Sequence, residues 1–412
     1  MNLQEKHRLQ ELARRYSELA SNDANQERKQ RALQINDRQA VRPIVWIDEI
    51  PWHEMNTDDE LTLQCEDDFA RGMERFFLTS LYRWRHIQAD MVLEPFYRIG
   101  KSCTNSGIGV EVHEQVLSND SRNHIVSHHY QDQLATDADL DRLRLPVIRA
   151  DREQDARNME MAQDALQGIL PVKLHGWNFG FAPWDTISML RGVEPALIDL
   201  VERPEFIHRT MEKFAAIGLA SMEQLEQEGL LDQDISSLHC TPPYVSDLPA
   251  SDWKGANIQL KDTWFRGTAQ MFSTVSPAMH EEFELQYMRP LMAKCGLVYY
   301  GCCEPLDNKI DVLRSIPNLR KIGVSPWANP YRCAEQIGRD YVFSCKPNPA
   351  LVADVADPTV IRKEITNILT ACREHGCAVE FVLKDISTVS YRPQNLITWS
   401  LVVQECIDAC HR

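Results

Sequence analysis

Residues 297–310 read LVYYGCCEPLDNKI. Leu297 to Tyr300 form a short apolar run that a glycine ends, the signal of a buried strand. Cys302, Cys303 and Glu304 follow at once, residue types that hold metals or carry protons more often than they finish a strand. Neighbouring side chains of a strand point to opposite faces, so only one of the two thiols can follow the inward row. Cys302 is the inward candidate, with Tyr300 two residues before it on the same face, and Cys303 is the packing thiol.

Working outward, seven further runs have the same β-rich character: 43–50 (PIVWIDEI), 90–97 (DMVLEPFY), 170–176 (LPVKLHG), 234–240 (DISSLHC), 319–325 (LRKIGVS), 340–346 (DYVFSCK) and 378–385 (AVEFVLKD). Helical patterns separate most of them, including 358–375, which a glycine follows as a C-cap. Eight near-continuous apolar strands alternating with helices predict an α/β fold of the (β/α)8 TIM-barrel class with long βα loops. A doubly wound sheet is the alternative, but its glycine-rich phosphate loop is missing; GIGVEV at 108–113 lacks the spacing. The long connections are 98–169, with a hairpin, and 241–277, read as a loop-rich excursion. Residues 1–40 read as a polar N-terminal helical arm, interrupted near SNDANQ, and 41–412 as the barrel domain. Such an arm packs on its own barrel or on a second copy, so a homodimer is one expectation.

The chain of 412 residues carries a formal net charge of −16, which argues against nucleic acid and anionic membrane surfaces as partners. No apolar run reaches the about 18 residues of a membrane span, and the charged N-terminus does not read as a signal peptide. The cytoplasm is therefore expected, and the twelve cysteines read as thiols.

Barrel active sites are built at the carboxyl ends of the strands. Those ends carry Asp48 and Glu49, Glu94, His175 then Trp177, His239 and Cys240, Cys302 to Glu304, Ser325 then Trp327, Cys345 and Lys346, and Lys384 and Asp385. A single polar residue at a strand end is usually a solvated cap. Three strands that end in cysteine are harder to explain by packing. Cys302 and Cys345, with Glu304 or Asp385, form a chemically reasonable zinc set. Tyr300, Asp385, His175 and His239 are the acid–base candidates. Asp48, Glu49, Trp177, Trp264, Trp327 and Lys346 are the substrate-binding candidates, with Trp184 a further aromatic wall; aromatic rings suit a small apolar or cationic substrate.

The segments VRPIVWIDEIPWHEMN, MFSTVSPAMHEEFELQYMRPLM, YYGCCEPLDNKIDVLRSIPNLRKIGVSPWA, DYVFSCKPNPALVA and VEFVLKDISTVSYRP resemble the uroporphyrinogen decarboxylase superfamily over residues 40–405. The resemblance is nearest to the decarboxylase-domain proteins that accompany corrinoid-dependent methyltransferase systems. It implies a (β/α)8 barrel, methyl transfer between a small methylated compound and a corrinoid protein, and zinc assistance. The haem-pathway enzymes place arginines after the first strand, where this chain has the acidic DEIPWHEM, which would repel a polyanionic tetrapyrrole. The family's His-x-Cys zinc motif reads Tyr300-Gly301-Cys302 here, and its late cysteine falls near Asp385. No Asp-x-His-x-x-Gly corrinoid signature occurs, so the resemblance implies a corrinoid supplied by a separate partner protein. Two other readings stand beside it: a metal-independent decarboxylase or lyase using Lys346, Lys384 and Asp385, and a non-catalytic binding partner in a corrinoid system.

Overall fold

The computed structural model describes residues 1–117, 126–232, 238–255 and 257–411. Its centre is a parallel sheet of seven strands. In chain order, the strands of the structure are β1 (Ile44–Ile47), β2 (Tyr97–Gly100), β3 (Val172–His175), β4 (Phe179–Gly180), β5 (Trp264–Gly267), β6 (Leu297–Tyr300), β7 (Leu319–Val324), β8 (Val342–Cys345) and β9 (Ala378–Leu383), besides two small antiparallel pairs. The spatial order is β1-β9-β8-β7-β6-β5-β4, while β2 and β3 pair only with each other. The parallel α/β class expected from the sequence is present.

Parallel strands need crossovers, and these cover one face of the sheet with helices. Helices α1 (Leu3–Ala20), α2 (Asp23–Asn36), α3 (Asp68–His86), α4 (Pro183–Arg191), α5 (Pro204–Gln227), α6 (Pro330–Ile337), α7 (Pro358–His375) and α8 (Pro393–His411) are the longer ones that the site depends on. Helix α7 is typical. The Asp357 side chain caps Thr359 N, Pro358 opens the first turn, and Gly376 closes the helix at φ 68°. Ile361, Ile365, Leu369 and Cys372 join one core with Val379, Phe381 and Leu383 of β9 and Phe343 of β8. Each such aliphatic side chain contributes roughly 1.5–3 kcal/mol by leaving water.

The opposite face of the same strands is polar. Lys321, Ser344 and Glu380 are fully buried there. Lys321 Nζ lies 2.9 Å from Glu380 and 3.0 Å from Thr241 Oγ1. Ser344 Oγ donates to Glu380 at 2.6 Å and accepts from Lys346 Nζ at 2.6 Å.

The N-terminal helices pack on this chain. Leu9, Leu12 and Tyr16 of α1 share a core with Phe77 and Leu81 of α3. Asn36, ending α2, donates to the carbonyls of Pro242 and Tyr244. The 114–117 and 127–130 segments pair as the expected hairpin, with its tip outside the described residues. Among the described residues no helix is long and apolar enough to cross a membrane.

Three strand expectations need correction. Residues 90–96 form no ladder strand. Asp90 occupies the free edge of β1 instead, its N–H donating to Val45 O at 2.6 Å and its carboxylate accepting from Val45 N at 2.8 Å. Pro95 also lacks the N–H a central strand needs. The expected third strand forms as β3, but beside β2 rather than in the main sheet. Of the expected fourth, 234–237 lie outside the described residues, and Leu238 to Thr241 make a turn. Its neighbour in the sheet is supplied by β5, from the segment expected to be loop, where Thr263, Trp264 and Phe265 carry the β-branched and aromatic signal.

Candidate active site

The site begins at the carboxyl end of β6, where Gly301 adopts φ 102°. A Cβ there would meet Leu306 Cδ1 at 2.6 Å and Gly323 N at 3.3 Å, so glycine is required by both space and conformation. The turn delivers Cys302 into the interior. Its N–H donates to Glu304 Oε2 at 3.0 Å, and Glu304 also accepts from Thr268 Oγ1 at 2.7 Å. Glu304 is therefore the clamp of the turn, and its full burial pushes its carboxyl pKa up.

A chain of polar contacts runs outward from Cys302. Its Sγ lies 3.1 Å from His239 Nε2 and 3.4 Å from Cys303 Sγ. Cys303 Sγ lies 3.2 Å from Asp385 Oδ2, and Lys384 Nζ donates to the same oxygen at 2.7 Å. Asp385 N–H donates to Glu49 at 2.8 Å. On the other side, Arg266 Nη2 donates to His239 Nε2 at 2.8 Å. Asp185, in the first turn of α4, accepts from Gln270 at 3.0 Å. Its pKa is raised by burial, against the pull of Gln270 and the Arg266 charge.

The dithiol is electrically asymmetric. The bond from Cys303 holds the Cys302 thiol well below the usual range, helped by His239 and Lys384 against burial. Cys303 is pushed up by the same bond and by burial. Of the two thiols, Cys302 is the more acidic and gives up its proton first. Burial alone would lower Lys384, but Cys302, Cys303 and Asp385 raise it.

His239 Nε2 has one lone pair and two partners. Arg266 can only donate, so while it bonds Nε2 the ring is unprotonated at that atom. A proton can reach Nε2 only when Arg266 lets go.

Glu49, His239, Cys240 and Asp385 all adopt positive φ, between 44° and 65°. Left-handed non-glycine residues cost of order 1–3 kcal/mol each and gather at functional sites. Two cavities meet at Asp385 and Ser387. One of about 510 Å³ is lined by Cys303, Trp327, Lys346 and Lys384, and one of about 940 Å³ by Glu49, Trp52, His53 and Arg75.

Of the acid–base candidates, His239 and Asp385 are in this cluster, and the substrate-binding candidates Glu49 and Lys346 border it. Tyr300 is not. Side chains alternate along β6, and Tyr300 falls on the helix-facing row, fully buried with its hydroxyl 2.6 Å from His280 Nε2. Tyr299 takes the inward position, with Lys346 Nζ 5.2 Å from its ring centroid. His175 ends β3, outside the main sheet, with Nδ1 3.1 Å from the Gly176 carbonyl. Trp264 is buried and donates to Pro243 O at 3.0 Å, and Trp184 donates to Phe283 O at 3.1 Å, so both are packing residues. Trp177 and Trp327 are 38% and 70% exposed. Asp48 lies 3.8 Å from Arg83.

The expected zinc set does not fit. Cys345 is on the helix-facing row of β8, in the apolar core with Cys333, and burial raises its thiol well above the usual range. Glu304 already accepts from the turn it clamps. Arg266 occupies the His239 nitrogen nearest Cys302. Among the described residues no three His, Cys, Asp or Glu side chains are grouped as metal ligands.

Arg266, Asp185 and the contacts of Cys303 with Cys302 and Asp385 lie outside the sequence expectations. Arg266 would have been an inward candidate had 264–267 been read as a strand. Asp185, two residues after Pro183, reads in sequence as an ordinary helix-start acid.

No family model matches the chain, and no curated protein matches it. Among solved structures, a methyltransferase from Methanosarcina mazei is similar at a TM-score of 0.49 and 11% identity, over 93% of this chain and 99% of that one.

Proposed function

We propose that this chain is a methyltransferase component on a uroporphyrinogen decarboxylase-like (β/α)8 barrel. It moves a methyl group between a small methylated compound and a corrinoid held by a separate protein. The observation that supports it most is the Cys302–His239–Arg266 cluster, flanked by Cys303 and Lys384 at the sheet's carboxyl edge.

The heteroatom that loses a methyl group keeps the bonding electron pair and must be protonated to leave. Arg266 releases His239, Nε2 takes up a proton from solvent, and His239 gives it to the departing atom. Cys302 stands beside the imidazolium as a thiolate, held by Cys303 and by the Lys384 charge. In the reverse direction the same groups take the proton back. When bound, the partner's corrinoid supplies the methyl-accepting centre. Because the zinc set does not fit, no step is routed through a metal.

The test uses anaerobic enzyme, reduced free cobalamin as stand-in acceptor, and methanol, methylamines and dimethyl sulfide as donors. Consumption of the reduced corrinoid with one donor, lowered about 10²-fold or more in His239→Ala, is the expected result. The buried Lys346 amine at the 510 Å³ cavity favours a second reading, the metal-independent lyase. Carbon dioxide release without corrinoid, lost in Lys346→Met, would establish that reading and overturn methyl transfer.

A further inference from the structure

A third cavity, of about 260 Å³, lies along the free edge of β1, where the expected second strand fails to form. The irregular 89–96 segment is one wall and α3 another. Tyr16 of α1 and Arg28 of α2 close it, which gives the N-terminal arm a place in a site.

Three features of this space point to a ligand. The Trp46 indole N–H, on a side chain 2% exposed, has no hydrogen-bond partner, and neither has the buried Arg83 Nε–H. An unsatisfied buried donor costs about 1–3 kcal/mol, which an acceptor in the cavity would recover. Charge is the second feature. Arg28, Arg83 and Arg98 line the cavity against Asp48 and Glu94. Glu94 is already held by Lys29 at 2.9 Å and by the Tyr244 hydroxyl at 2.8 Å, and Asp48 stands beyond hydrogen-bond distance from Arg83 at 3.8 Å. The third is the aromatic lining, to which Trp46, Phe76, Trp84 and Phe96 contribute. The Arg28 guanidinium is fixed 4.0 Å above the Trp84 ring, which turns its donors edgewise.

We infer that this cavity binds a small planar anion, an aromatic or heteroaromatic carboxylate. The carboxylate accepts from Arg83 and the Trp46 N–H, and the ring lies against the aromatic walls. The volume is near the lower end of the roughly 300–1,000 Å³ of small-ligand pockets, which suits a single ring. A tetrahedral oxyanion would use the arginines and leave the ring walls unfilled. The inference rests on this cavity and not on the methyl-transfer reading.

Isothermal titration of the full chain with benzoate, benzamide and inorganic phosphate tests it. Benzoate is expected to bind at sub-millimolar concentration, with benzamide and phosphate each weaker by about tenfold or more. Arg83→Met should weaken benzoate about tenfold and Trp46→Phe, which keeps the ring and loses the donor, about threefold. Lys346→Met, at the other cavity, should change nothing. If Arg83→Met does not fold by circular dichroism, Trp46→Phe decides. Absence of benzoate binding, equal binding of benzamide, preference for phosphate, or loss in Lys346→Met with retention in Trp46→Phe would each overturn the assignment.

Discussion

Replacing Cys303 with alanine should raise the pH at which Cys302 ionises. The Cys303 thiol is the largest influence holding Cys302 low, ahead of His239 and Lys384. A hydrogen bond to a charged acceptor is worth about 1.5–3 kcal/mol, and one pKa unit is about 1.4 kcal/mol, so the shift should be one to two units upward. The remaining partners keep Cys302 more acidic than an ordinary thiol. Thiolate absorbance, titrated in wild type, Cys303→Ala and a Cys302→Ser baseline, reads the change directly. Cys240, Cys295, Cys333 and Cys345 are all raised by burial and contribute little near neutrality. Cys377, lowered by its bond with Cys372, is common to all three proteins and cancels. The stability signature has a fixed sign. A folded pKa below the unfolded value of about 8.5 contributes stability in full above that pH, and the contribution fades as pH falls toward the folded midpoint. Equal thiolate signals from wild type and Cys302→Ser at neutral pH, or an unmoved midpoint in Cys303→Ala, would refute the assignment of the charge to Cys302.

Lys321→Met strands the buried Glu380 carboxylate and should cost about 3–5 kcal/mol in urea unfolding, most of it recovered when Glu380→Leu is added. Burial pushes the Lys321 pKa down to about 8 despite Glu380, so between that pH and the unfolded value of about 10.4 the unfolded chain binds more protons. Stability should therefore rise with pH across that window in wild type and lose this rise in Lys321→Met. Gly301→Ala should cost about 1–3 kcal/mol and also return Cys302 toward an ordinary thiol, because the turn that aims it cannot form. Cys345→Ser should lower stability through a buried hydroxyl without changing the zinc content of anaerobically purified protein. A loss of zinc in that variant would restore Cys345 as a ligand.

The strands that the sequence shows best are those with both faces covered. Residues 319–324 and 378–383 are buried throughout; AVEFVL at 378–383 is apolar but for Glu380, whereas LRKIGV at 319–324 buries Arg320 and Lys321 as well. Face assignment was harder where a glycine turn follows a strand. Counting back by two from Cys302 selects Tyr300, but Gly301 at φ 102° breaks the alternation, so Tyr299 is the inward residue. The same parity separates Cys345 from Lys346, and only the lysine reaches the cavity. Residues 90–96 misled because their composition is strand-like while Asp90 satisfies the β1 edge with its own side chain. That substitution is a matter of geometry and leaves no mark in hydrophobic periodicity.

Under the proposed methyl transfer, the charge pattern of the mouth favours one class of donor. Arg266, Lys346 and Lys384 share the adjoining walls with Cys302, Asp385, Glu49 and Asp185, so charges of both signs offset one another there. An anionic or cationic substrate would upset that balance inside a partly closed cavity, where unpaired charge is costly. A quaternary ammonium would need an aromatic cage. Trp264 and Trp184 are committed to packing, and Trp327 alone among the four expected tryptophans lines the 510 Å³ cavity. A neutral ether, alcohol or thioether enters without disturbing the balance. The one charge that then appears, on the departing heteroatom, is the charge that the proton carried by His239 removes.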